Sequence, residues 1–426
     1  MRRHKGNRLV LILTLILIAF GMIMIYIIGP LRAQQLGEAN ESAYFIGQIK
    51  AVAVSLVLFF LSWKVFSKNM KLLDIAPKIL MALALLSCAA LWVGGNAGMG
   101  FVSCQLGGCR WFSVAGFSFQ PAELVKLATV LLSAQYFAEL RNKGHFKPGR
   151  KSSVKVAWEM VRKYGLSKDA AKRIWALIKR PLLNYWIWII LSIAFVVIAQ
   201  KDMGSAVPIA AIVFSAMIVS GMPMKVTVTM IAAIVAVFLL TIVTSPHRMD
   251  RVRTLLGGEG NDYHAHNALI AVGSGGLAGV GVGNSVQAAG YLPESINDSI
   301  FAAIGEMFGL LGTTALLMAF FMLFMNIMRI GDQSQDLRNK LIVDGIVAWM
   351  AAQVMTNVAS MIGLIPLTGV TLPLISYGGS SMMIVSVALG IVMAISEYTG
   401  RRNISETERD GNIKNPVFGT VRRRRV

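Results

Sequence analysis

Ten apolar runs, each near the length that crosses a bilayer, constrain this chain more than any other feature. They fall near residues 9–29, 43–63, 78–97, 119–139, 185–200, 203–222, 226–244, 300–328, 342–365 and 380–398. A helix needs roughly 20 apolar residues to span the hydrocarbon core. A transmembrane barrel would show short alternating segments instead, and none are visible. The expected fold is therefore an all-α polytopic membrane protein of about ten transmembrane helices. A large extracytoplasmic loop, 245–299, is expected between the seventh and eighth. Composition agrees: 55% of the 426 residues are hydrophobic and 15% charged, where a soluble domain carries about 25% charge. The first run follows Arg2, Arg3, Lys5 and Arg8 as a signal peptide would, but it is too long for one and reads as a retained helix.

Lysine and arginine orient the bundle. They cluster before the first run, at Lys64, Lys68 and Lys71, from Arg141 to Arg180, from Arg329 to Lys340, and after Arg401. Alternate connections are poor in them, apart from Arg248, Arg251 and Arg253. Both termini and the 141–184 connection are thus expected in the cytoplasm, and 245–299 outside. The net charge of +20 is sorted to one membrane face, which argues against nucleic acid as a partner. The basic tail, 401–426, is polar enough to be disordered; anionic lipid and a cytoplasmic protein both stay open as its partners. Segment 151–180 mixes bases with Trp158, Tyr164 and Trp175, and fits a surface-lying helix or a solvated loop.

Polar residues at membrane depth point to a cavity. Asp298 stands where the long outward loop meets the eighth run, and Glu306 lies just inside that run. Acids in lipid are costly and normally face a cavity or a partner. Glu123 and Lys126 share one helical face, as a packing ion pair, a charged cavity wall, or both. Pro121 suits that helix's first turn. Lys201 and Asp202 form a tight outward turn, and Gln353 and Asn357 lie four apart in the ninth run. Residues 364–381 are apolar, yet Pro366, Gly369, Pro373, Gly378 and Gly379 bar a regular helix. Such backbone is tolerated at membrane depth only against protein or a watery cavity. Ser376, Tyr377 and Ser380 offer polar contacts there.

Other signals carry less. The chain has no Walker A pattern, which leaves ATP-driven transport without support. Gly273 to Ala278 fits a loose dinucleotide pattern but follows no strand, so its glycines read as flexible, close-packing backbone. Cys104 and Cys109 share an outward connection, where a disulfide and a reduced pair both stay open; Cys88 reads as packing. His247, His264, His266 and Asp262 show no full ligand set, so no dedicated metal site is expected.

These motifs together resemble the SEDS family of bacterial cell-wall polymerases, which includes FtsW, RodA and SpoVE. The matching pieces are Phe119-Gln-Pro-Ala-Glu-Leu-Val-Lys126, Asp202-Met-Gly-Ser-Ala206, Gly273-Ser-Gly-Gly276, Gly283-Asn-Ser-Val-Gln287 with Tyr291-Leu-Pro-Glu294, Asp298 through Glu306, and Pro373 through Ser381. The resemblance spans nearly the whole of 1–400, and Gly283 to Gln287 and Thr371 to Tyr377 look more like FtsW or SpoVE. It implies a peptidoglycan glycosyltransferase that polymerises lipid II at the outer face of the cytoplasmic membrane. The family's essential aspartate falls on Asp298, its charged pair on Glu123 and Lys126, and its outward-loop arginines on Arg248 and Arg251. Lys201, Asp202, Glu306, Ser376, Tyr377 and Ser380 complete the expected substrate-binding set. This chain departs from the family pattern in having Asn297-Asp298-Ser299 for Thr-Asp-Phe, Met307 for a second glutamate, and His264 for a glutamine.

The chemistry implied is attack of a sugar hydroxyl on an anomeric carbon as pyrophosphate leaves, with inversion. Asp298 would be the general base. Lys126, Arg248, Arg251 or a divalent cation, Mg or Mn, would meet the leaving charge. A class B penicillin-binding protein would supply the transpeptidase, among other divisome or elongasome membrane proteins. A lipid II flippase and a non-catalytic scaffold for a cell-wall synthase are the alternatives. The chain shows no internal repeat of the transporter kind, and its polar motifs crowd toward the outer rim.

The orientation has a direct test. A cysteine introduced at Asn284 is expected to react with a membrane-impermeant thiol reagent in cells stripped of any outer barrier, and one at Ser153 to stay unlabelled. The reverse pattern overturns the orientation.

Overall fold

Helices form where the apolar runs lie, because lipid offers backbone groups no partner and each run must pair its own. The computed structural model describes residues 7–37, 40–105, 108–114, 117–144, 181–243, 249 and 263–414. Within these, the backbone alone is described at 105, 114, 117, 181–184, 237–238, 240–242 and 403–414. The helices are α1 (Arg8–Gln35), α2 (Ala43–Lys68), α3 (Leu72–Asn96), α4 (Pro121–Asn142), α5 (Pro181–Ala194), α6 (Ala206–Val219), α7 (Met224–Val243), α8 (Tyr263–Ser274), α9 (Ile300–Gln333), α10 (Leu337–Met361) and α11 (Gly379–Lys414). The last turns of α5 pass into a π-helical stretch, Phe195–Ala199. Among the described residues, α1, α2, α3, α9, α10 and the Gly379–Arg402 part of α11 are long and apolar enough to cross a membrane; α5, α6 and α7 contribute shorter apolar stretches.

The helices divide by what they face. α1, α2, α3 and α9 leave large apolar side chains such as Ile16, Val57, Leu86 and Leu311 exposed, as lipid contact requires. α4, α10 and α11 are largely buried and form the centre. A helix surrounded by protein is free to carry polar groups, and α4 and α10 carry most of those expected to matter. α11 lies along α2, so closely at Gly390 that a Cβ there would meet the Phe59 carbonyl at 2.4 Å.

Several expectations change. The fourth run starts at Pro121, in the first turn of α4, while Phe119 ends a strand. The connection before α4 is a three-stranded antiparallel sheet, β1 (Val102–Gln105), β2 (Gly108–Val114) and β3 (Phe117–Phe119). A Cys104–Cys109 disulfide closes its first hairpin. The backbone beyond Arg401, expected to lack structure, stays helical to Lys414. A helix already nucleated in the bundle extends at the cost of one residue at a time. The described part of the 245–299 connection holds α8 and a π-helical turn, Gln287–Tyr291. Arg248, Arg251, His247, Asp262, most of the 141–184 connection and 415–426 lie outside the described residues.

The glycine-rich stretch after α8 has a defined task. α9 breaks at Gly309, whose φ of 63° is left-handed. The broken turn leaves backbone groups that its own helix cannot pair. Val280 N donates to Glu306 O (2.9 Å) and Gly281 N to Met307 O (3.1 Å), while Leu310 N donates to Gly276 O (2.9 Å) and Leu311 N to Leu277 O (3.1 Å). Backbone meets backbone so closely that a Cβ on Gly279, at φ 85°, would stand 2.2 Å from Met307 O. Gly279→Ala is expected to lower stability by at least about 2 kcal/mol, read as a fall in thermal midpoint in detergent, whereas Gly283→Ala, where nothing lies within 4 Å, should be near neutral.

Candidate functional site

Asp298 closes a run of turns, and Ser299 is the N-cap of α9. A helix N-terminus favours a carboxylate there. The turn is built around Glu294, a left-handed residue at φ 50°. Its carbonyl accepts from Asn297 N (2.9 Å) and Ser299 N (3.2 Å). Its carboxylate accepts from the Asn297 amide and pairs with Arg32 at the end of α1, at 3.2 Å. On the far side, buried Asn357 of α10 donates one amide hydrogen to Asp298 O (2.6 Å) and the other to Val370 O (2.7 Å). His264, at the start of α8, meets the fully buried Ser299 hydroxyl at 2.5 Å. Two departures from the family pattern thus touch each other beside the aspartate.

The irregular segment between α10 and α11 lies against this turn. Tyr377 N donates to Ile296 O (2.8 Å), and a Cβ on Gly369 would stand 3.7 Å from Asp298 Oδ2. The same segment abuts the turn before α6, where a Cβ on Gly204 would meet Thr368 O at 2.7 Å. In that turn Asp202 accepts from Ser205 Oγ (2.7 Å), Ser205 N (3.1 Å) and Gln120 Nε2 (3.0 Å). Ser380 accepts from Gln120 N (3.0 Å) and donates to Ser118 O (2.7 Å), clipping α11 to the head of α4. Arg110 donates to the Lys201 carbonyl at 2.9 Å, tying the β hairpin to the rim. Ser376 Oγ accepts from Leu372 N (2.8 Å), and the Tyr377 ring packs edge-on against Tyr44.

Glu123 and Lys126 form a 2.7 Å ion pair at 4% and 1% exposure, with the ammonium 5.4 Å above the Trp349 ring. The packing arrangement is therefore the one observed. Trp349, Gln353 and Asn357 share a face of α10 at four-residue spacing, so the pair stands about 12 Å along that helix from the asparagine that holds Asp298. Glu123 Oε2, Gln353 Oε1 and Asn357 Oδ1 are buried acceptors with no hydrogen bond among the described residues.

Glu306 is not brought to Asp298. It lies about 12 Å along α9, and its carboxylate is buried among loop donors. It accepts from Val286 N (2.9 Å), Gln287 N (3.0 Å), Ala288 N (3.3 Å) and the Ser285 hydroxyl. Of the cavity or partner expected for an acid at this depth, Glu306 has partners: it caps the π-helical turn. Among the described residues no group of three His, Cys, Asp or Glu side chains stands together for a metal. Glu294 stands in a family motif, but its pairing with Arg32 is not legible there, because a turn scaffold shows only as contacts between distant segments.

With this geometry in view, comparison is informative. The FtsW/RodA/SpoVE family model, described as cell cycle protein, matches residues 7–401. The chain belongs to that family. It is 29% identical over 398 residues to the probable peptidoglycan glycosyltransferase FtsW of Nitrosomonas europaea, covering 89% of this chain and 90% of that one. It is 28% identical over 410 residues to stage V sporulation protein E of Bacillus subtilis, covering 93% and 99%. Its fold is similar to a chain of a peptidoglycan synthase complex that coordinates polymerization and crosslinking, with a TM-score of 0.67, 20% identity and coverage of 92% and 98%. It is also similar to RodA of Thermus thermophilus, with a TM-score of 0.59, 20% identity and coverage of 92% and 96%. This is a multi-pass membrane protein of the SEDS fold.

Asn357→Ala removes the amide that donates to the Asp298 and Val370 carbonyls. It is expected to cost about 2–3 kcal/mol and to loosen the Asp298 turn, read as a lower thermal midpoint together with faster hydrogen exchange in 293–299.

Proposed function

We propose that this chain is a peptidoglycan glycosyltransferase that polymerises lipid II into β-1,4-linked strands at the outer face of the cytoplasmic membrane, with both termini inside. The observation that carries the reading is the Asp298 carboxylate, set at a helix N-terminus with its own carbonyl held by Asn357. Membership of the family and the names of its relatives support it.

Asp298 takes the proton from the acceptor sugar hydroxyl. The oxygen attacks the donor's anomeric carbon from the face opposite the pyrophosphate. The C–O bond to pyrophosphate breaks, and the electron pair leaves with it. One displacement inverts an α-linked donor to a β bond. No ATP is needed, because the leaving group supplies the driving force. A base of this kind contributes typically 10²–10⁴-fold. The leaving charge needs cations. Arg248 and Arg251 of the outward loop are the proposed source, since Lys126 is neutralised by Glu123. A divalent cation, Mg²⁺ or Mn²⁺, held mainly by the substrate phosphates, would serve the same purpose; no group of described acids stands ready to hold it, and Asp298 is kept for the proton. Ser376, Tyr377, Ser380, Lys201 and Asp202 border the sugar's route from the rim, and the buried Glu306 supports the loop. A class B penicillin-binding protein is the proposed crosslinking partner, with further division or elongation membrane proteins around it. The likeness to a chain of a synthase complex supports this.

Asp298→Asn keeps the shape and removes the base. Purified protein given labelled lipid II is expected to lose at least about 10²-fold in polymerisation with an unchanged thermal midpoint. Wild-type rates in that variant, or absence of glycan with the wild type, would favour the flippase or scaffold reading.

A further inference from the structure

The peptide group between Asp298 and Ser299 is held from three directions. Its carbonyl, that of Asp298, accepts from the Asn357 amide of α10 at 2.6 Å. Its N–H, that of Ser299, donates to Glu294 O at 3.2 Å. Beside it, Ser299 Oγ meets His264 Nε2 of α8 at 2.5 Å. This third contact joins two side chains 35 residues apart in the chain.

Ser299 gives up a local role to make it. A serine ahead of a helix ordinarily turns its hydroxyl back to accept from an N–H of the first turn. Among the described residues the Ser299 hydroxyl makes no such bond to α9. Ala302 N and Ala303 N donate to its backbone carbonyl instead, at 3.0 and 3.2 Å. Ser299 is fully buried, where an unmade hydrogen bond is costly, and the imidazole satisfies it. The ring nitrogen donates or accepts according to its tautomer, and the hydroxyl turns to match.

α8 gives the imidazole a fixed base. His264 stands in its first turn. At its other end Gly275 lies too close to Gly305 O to carry a side chain, and a Cβ on Gly305 would stand 3.4 Å from Val272 Cγ2. Between these ends Asn267 and Ala271 are buried, and Asn267 donates to Tyr263 O at 2.8 Å. α8 is thus a strut lying on α9, and its first turn reaches the residue after Asp298. Neither His264 nor Ser299 is the residue of the family pattern at its position, so the bond belongs to this chain.

We propose that His264 is a positioning residue for Asp298. Through Ser299 it fixes the peptide that follows the aspartate, and so sets where the carboxylate meets the sugar hydroxyl. The inference rests on the reading of Asp298 as the base. Placement of this kind acts on the chemical step, where a misplacement of about 1 Å can cost about 10²-fold. It adds nothing to substrate binding.

The test measures kcat and KM for lipid II with the purified full chain. His264→Leu removes the bond at similar bulk. It is expected to lower kcat at least about tenfold with KM unchanged, the mark of an interaction that serves the transition state alone. Ser299→Ala removes the same bond from the other side and should also lower kcat. The double variant should lose far less than the product of the two single losses, because both remove one contact. His264→Gln should restore most of kcat, since its amide reaches as far as Nε2 and both donates and accepts; this guards against a loss caused by misfolding. His266→Gln, at an exposed position of α8, should leave kcat unchanged. Wild-type kcat in His264→Leu, a loss carried by KM, fully multiplicative losses in the double variant, or no recovery with glutamine overturns the proposal. Asp298→Asn measured beside them separates the two readings. If it polymerises like the wild type, or the wild type makes no glycan, the base assignment fails and this inference with it. If it is inactive while the His264 variants are normal, this inference alone fails.

Discussion

The two hydrogens of the Asn357 amide are the interaction on which the Asp298 end of this protein depends. One goes to the carbonyl of Asp298 and the other to that of Val370. Neither carbonyl belongs to a helix; that of Val370 is bonded in a buried place and that of Asp298 in a half-buried one. An unpaired buried carbonyl costs about 1–3 kcal/mol, so one side chain makes two irregular segments compatible with the membrane at once. It also joins them. The turn that aims Asp298 and the segment that borders it move as a unit with α10.

The same constraint explains the other irregularities. α9 can break at Gly309 because the glycine-rich stretch supplies donors and acceptors to the gap. Glu306, two turns into α9, then collects the N–H groups that open the π-helical turn. The outward loop is therefore stitched to α9 along much of its length. A loop fastened in this way can present Tyr291 through Ser299 as a shaped surface, which is what positioning a sugar hydroxyl against one carboxylate requires.

Charge is placed with similar economy. The buried Glu123–Lys126 pair is costly to desolvate, and α4 tolerates it because protein surrounds it and Trp349 faces the ammonium. Its one unpaired acceptor oxygen, with Gln353 and Asn357 above it, makes a polar strip along α10 leading toward Asp298. At the opposite end Lys68, Arg401 and Arg402 are exposed. One end of the bundle thus buries its charges among protein, and the other leaves them at the surface.

Hydropathy determined the membrane class and the approximate places of the long apolar helices, and prolines and glycines marked the break between α10 and α11. Each follows from local composition against a solvent that pairs no backbone. The family motifs picked out Asp298 in the same way, as a short string of residues. Pro121 read correctly because first-turn geometry is local. What the outward loop does was decided by tertiary structure. Glu306 called for a cavity or a partner, and its partners are donors some twenty residues away in sequence. Glu294 and Arg32 look unremarkable until α1 and the turn meet. The departures at His264 and Ser299 read as unrelated until they share a hydrogen bond. Periodicity and composition report what each residue asks of lipid or water. Which distant donor answers a given carbonyl depends on the three-dimensional path of the chain, and only the packed structure contains that.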